Sequence, residues 1–68
     1  TLVYPSPATD HVNIQSSVEG RLYIFDAQGK LVIQQMCKKG INLIDVSGLS
    51  EGIYYLQLGE KRMHFVKK

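Results

Sequence analysis

The sequence predicts an all-β domain, an antiparallel sandwich or barrel, and three observations carry that expectation. Apolar residues fall in short runs rich in Val, Ile, Leu, Tyr and Phe, with the length and composition of strands. Gly, Asp, Asn, Ser or paired Lys interrupt them every ~8 to 12 residues, the rhythm of an all-β sandwich or barrel. Nowhere does an i, i+3, i+4, i+7 pattern persist long enough for more than a single helical turn. With 68 residues, 44% of them hydrophobic and 21% charged, the composition is that of a globular domain rather than a disordered chain. A chain this short holds one thin core, so residues 1–68 are read as one domain, with 1–10 as a proline-containing lead-in.

Tyr4-Pro5-Ser6-Pro7 fixes two φ angles and lacks two amide donors, which excludes a central strand. It reads as a rigid extended or turn segment, or as a boundary linker. His11-Val12-Asn13-Ile14-Gln15 alternates, placing Val12 and Ile14 on the core face. Arg21 to Asp26 is apolar on both faces, Leu22 and Ile24 on one and Tyr23 and Phe25 on the other, as in a central strand. Asp26-Ala27-Gln28-Gly29-Lys30 has the Asp and Gly of a type I turn and predicts a hairpin into Leu31 to Met36.

Cys37-Lys38-Lys39-Gly40 is a second turn, followed by a strand from Ile41 to Val46 in which Ile41, Leu43 and Asp45 share one face. Residues 46–52 form a loop that tucks Leu49 inward. Ile53 to Leu58 is the strongest strand, and Gly59-Glu60 turns it into Lys61 to Val66, with Met63 and Phe65 on one face. About six to seven short strands are thus expected.

Several function classes are disfavoured. Even Leu31-Val32-Ile33 is followed at once by Gln34-Gln35, so no transmembrane segment is expected. The chain begins at Thr1 with no signal peptide in view, which suggests a fragment of a longer protein. One cysteine, Cys37, cannot make an internal disulfide, and His11 and His64 show no metal-ligand spacing; no metal or cofactor is expected. Cys37 with a histidine lacks the local signature of a nucleophile and base. Gly29-Lys30 lacks the first glycine of a phosphate loop, because Ile24 stands there. The carboxylates Asp10, Glu19, Asp26, Asp45, Glu51 and Glu60 lie singly in turns. Catalysis is therefore not expected.

Two features leave alternatives open. Tyr23, Phe25, Tyr54, Tyr55 and Phe65 suit core packing, or a stacking platform for sugars or single-stranded nucleic acid. Residues 1–59 carry four basic and five acidic side chains, whereas 60–68 carry Lys61, Arg62, Lys67 and Lys68 against Glu60 alone. That excess is too small for a nucleic-acid binder. The last strand reads either as an edge protected by lysines or as a recognition tail that adds a strand to a partner.

Four segments together carry a resemblance over nearly the whole chain: Tyr4-Pro5-Ser6-Pro7-Ala8-Thr9-Asp10, Ile24 to Lys30, Leu49-Ser50-Glu51-Gly52-Ile53-Tyr54-Tyr55-Leu56, and Phe65-Val66-Lys67-Lys68. In this order they resemble the type A C-terminal sorting domain of the Bacteroidetes type IX secretion system. The resemblance implies a small Ig-like sandwich that directs a covalently linked upstream cargo through an outer-membrane translocon, for release or cell-surface attachment, with a sortase-like peptidase cutting at or before Thr1. It maps Pro5 and Pro7 to the Pro-x-Pro motif, Gly52 and Tyr54 to Gly-x-Tyr, and Lys61, Val66, Lys67 and Lys68 to the basic terminal motif tied to recognition by the translocon. Ser6 stands where Asn is more usual. The alternative function is a carbohydrate-binding or adhesive accessory domain, which should lose sugar affinity on Tyr54→Ala or Tyr55→Ala. Exposed strand edges also allow an edge-paired dimer.

Overall fold

The computed structural model describes residues 2–68 and is an all-β sandwich of two antiparallel sheets. The smaller sheet has the order β1-β2-β5, from β1 (Leu2–Tyr4), β2 (His11–Ser16) and β5 (Gly40–Asp45). The larger has the order β4-β3-β6-β7, from β3 (Gly20–Phe25), β4 (Leu31–Cys37), β6 (Gly52–Leu58) and β7 (Lys61–Lys67).

This is an Ig-like arrangement in which β4 has changed sheets. In the constant-type immunoglobulin order the fourth strand lies at the edge of the first sheet, whereas here it pairs with β3 along its length. The Asp26 turn explains the difference. Its carboxylate accepts the amides of Gln28 and Lys30, both at 2.9 Å, and Gly29 takes a positive φ of 87°, closing a hairpin too short to cross between layers. The crossing falls instead at Cys37 to Gly40. There the Asn42 amide accepts from the Lys38 amide at 3.0 Å and donates to the Lys38 carbonyl at 2.8 Å, so the second expected turn is an inter-sheet corner rather than a hairpin.

β1 is the strand that periodicity leaves undefined, because its three residues are too few to show alternation. It pairs with β2 in the register Leu2↔Gln15, Val3↔Ile14, Tyr4↔Asn13 and forms an edge, as a segment running into prolines must.

The expected inward face of β2, Val12 and Ile14, is found. Val12, Ile14, Leu22, Ile24, Ile44, Leu56, Leu58 and Phe65 are buried between the layers, each such side chain worth about 1.5–3 kcal/mol of transfer free energy. Leu49 packs against this cluster as expected of the tucked loop. The face shared by Ile41 and Leu43 is the outward one, leaving them 66% and 64% exposed, while Ile44 and Val46 point in. Ser16, buried at the β2–β3 corner, donates to the Val18 carbonyl at 2.7 Å and accepts its amide at 3.1 Å.

Candidate functional site

The chain's two ends, the proline segment and the basic strand, meet at one corner of the sandwich. In Pro5-Ser6-Pro7-Ala8 the rings remove two donors, so Ala8 is the first residue past the second proline that can pair. Its amide donates to the Val66 carbonyl at 2.7 Å and its carbonyl accepts the Lys68 amide at 2.8 Å, forming a parallel bridge onto β7. Its methyl is fully buried in the core, and the Val66 amide reaches the Ser6 hydroxyl at 3.5 Å. Pro5 and Pro7 stand exposed on either side of Ser6.

On the opposite side of β7 lies the Gly-x-Tyr segment, in the register Gly52↔Lys67, Ile53↔Val66, Tyr54↔Phe65. Gly52 has a φ of 147° with open space where a Cβ would stand, so its backbone conformation, not crowding, calls for glycine. Tyr54 is buried, its ring stacked on Phe65 at 5.6 Å and 20°, and its hydroxyl donates to the Ser50 carbonyl at 2.8 Å. That bond, running back to the backbone just before the strand, matches the tyrosine corner of Ig-like sandwiches.

Six of the eight motif residues thus gather around one strand end: Pro5, Pro7, Gly52, Val66, Lys67 and Lys68. Tyr54 lies one step inward along β6. Lys61 does not join them, since it begins β7 and stands roughly 20 Å away along the strand. Within the tail the residues differ. Val66 is 40% exposed and Lys68 is exposed, but Lys67 is only 8% exposed, lying on the inner face with its ammonium donating to the Lys68 backbone oxygen at 2.9 Å.

The exposed edge expected of this strand is therefore closed at Val66 to Lys68. By the alternation of an antiparallel strand, its outward-facing backbone groups at Arg62 and His64 find no partner among the described residues. Ser6 and Ala8 are the members that sequence reasoning missed, the one available signal being that they carry the amides the two prolines leave.

The candidate catalytic residues are not assembled. Cys37 is fully buried, and burial pushes its thiol pKa up, while His64 stands exposed on the outer face at the opposite edge of the same sheet, three strands away. Asp10 and His11 pair at 2.9 Å in the open, which holds the Asp10 carboxyl below its usual range. Among the described residues no group of three His, Cys, Asp or Glu could hold a metal ion. The aromatic residues divide: Tyr54 and Phe65 are core, out of reach of a sugar, whereas Tyr23, Phe25 and Tyr55 lie on the outer face of the larger sheet. Among the described residues no helix is long and apolar enough to cross a membrane.

Comparison with curated proteins and with solved structures gives no match. The family model of the secretion system C-terminal sorting domain matches residues 2–68, so the chain belongs to that family and is a type IX sorting signal, exporting the protein that bears it across the outer membrane to the medium or cell surface.

Proposed function

We propose that the sorting machinery reads this module at the clasped end of β7, through the outward side chains of Val66 and Lys68, and that the module acts by binding alone, without catalysis. The observation that carries this reading is the pair of bonds from Ala8 to Val66 and Lys68, which holds the tail in one conformation. A tail ordered in advance loses less entropy on binding than a loose one. Pro5, Pro7, Gly52 and Tyr54 then serve as its frame. Lys67 contributes the inward anchor, and Lys61, at the far end of β7, adds only to the long-range field that steers an anionic partner.

The direct partner is the outer-membrane translocon. A sortase-like peptidase would separate module from cargo on the N-terminal side of Leu2, because β1 is paired and a protease needs free extended chain. A cut at Thr1 itself lies outside the described residues. Two copies pairing by an edge would use β4 or β5, whose outer edges have no partner strand.

Removal of Phe65 to Lys68 would be a poor test, since Phe65 is a fully buried core ring whose loss costs about 3–5 kcal/mol. Val66→Asp with Lys68→Glu alters the proposed surface and spares the core. In a type IX-competent bacterium, a secreted reporter carrying this double variant should lose about tenfold or more of its export, with an unchanged unfolding midpoint. Undiminished export would refute the proposed surface.

A further inference from the structure

We infer that the outer face of the larger sheet is a second docking surface, for an acidic protein surface with a protruding apolar side chain. This rests on the reading above that a protein of the export machinery binds the folded module, and it assigns the part of the fold that the tail does not use.

The strands β3, β4, β6 and β7 contain no Asp or Glu, although the chain has six. Their outer face carries Tyr23, Phe25 and Tyr55 at its centre, with Arg21, Arg62 and His64 around them. Tyr23 and Phe25 are two residues apart on the central strand with stacked rings 6.4 Å apart, and Phe25 stands directly across from Tyr55, which is 46% exposed. Tyr55 is the most open of the three and Tyr23 and Phe25 are half-buried beside it, so the rings form an apolar patch rimmed by cations, the pattern of a protein-binding surface.

The chemistry narrows the occupant. A shallow depression of about 320 Å³ is lined by Phe25, Tyr55, Gln57 and Met63, mainly by carbon, with Arg62 as the one charged residue in its wall. That suits an apolar side chain beside a carboxylate, since Arg binds carboxylates in a planar fork and aromatic residues with Arg anchor protein interfaces. A second copy of this chain is excluded by charge, because two such faces would set arginine against arginine. The smaller sheet offers Ile41 and Leu43 on its outer face but has no matching cation pattern, which makes it the natural control surface. Val66 and Ile53 lie on the same outer face, so the depression and the clasped tail form one continuous surface.

The test compares charge reversals of equal size in a reporter bearing this chain, exported by a type IX-competent bacterium. Arg21→Glu/Arg62→Glu should lower export by about tenfold, while Lys38→Glu/Lys39→Glu, in the inter-sheet corner, should stay near wild type. Both need unchanged thermal midpoints, and the single arginine variants serve if the double one unfolds. A photo-crosslinking benzoylphenylalanine in place of Tyr55 should give a protease-sensitive adduct that Arg62→Glu abolishes, with none from the same group at Leu43. Equal export of the two double variants overturns the inference, and so does a protease-resistant polysaccharide adduct. Loss of export in Val66→Asp/Lys68→Glu alone leaves the tail reading standing and removes this one. Loss in the arginine variant alone does the reverse.

Discussion

At the scale of single residues, Tyr54 and Gly52 hold the corner by different means, and each can be tested separately. Tyr54→Phe keeps the ring stacked on Phe65 but leaves the Ser50 carbonyl without its partner, which should cost about 1 kcal/mol in denaturant unfolding. Gly52→Ala fills open space yet forces a side chain into a φ of 147°, and should cost about 1–3 kcal/mol. Cys37 is sealed in the core and its thiol is held protonated by burial, so a thiol reagent should label it only at the rate of unfolding. Asp45 behaves oppositely, because the Ser47 amide and hydroxyl both donate to it and pull its pKa below the ordinary 3.8. A lowered pKa stabilises the fold above the unfolded value and loses that contribution as pH falls through the folded one. Asp45→Asn should therefore show a smaller drop in thermal midpoint than the parent between neutral pH and ~pH 2.

At the scale of elements, the central object is β7, paired with β6 along its whole length and with Ala8 only at its end. That geometry predicts a pattern of amide exchange: Ala8 and Lys68 slow, Arg62 and His64 fast, although the last two lie in the same strand as the first pair's partner. Uniform exchange along β7 would mean that the clasp does not form. The same strand shows what a sequence can and cannot express. Alternation placed Met63 and Phe65 on one face, which is the inner one, and by the same rule Lys67 follows them; only the expectation that a lysine near a chain end is displayed concealed it. The hairpin at Asp26 to Lys30 was legible because its bonds are local, between residues at most four apart. The bridge from Ala8 to Val66 and Lys68 was not, since it joins positions about sixty residues apart and leaves no periodic trace. β1 was hidden for a third reason, its length of three residues.

At the scale of the whole molecule, a small sandwich with one core does two jobs that its sequence separates and its fold unites. The proline segment and the tail looked like a lead-in and an edge strand; folding makes them neighbours, whereas Leu2 lies beside Arg62 and His64, toward the other end of β7. The family was legible from four short segments in order, each weak alone, whereas the roles of Lys61 and Lys67 within it depended on geometry. Lys61 lies far from the corner and Lys67 faces inward. The most direct measurement is export of a foreign folded reporter, delivered to the periplasm by its own signal peptide and ending in residues 1–68, in a type IX-competent bacterium and in its translocon-deficient counterpart. The reporter should appear outside the competent cells and remain within the deficient ones; retention in both, with the appended module folded, would contradict the account.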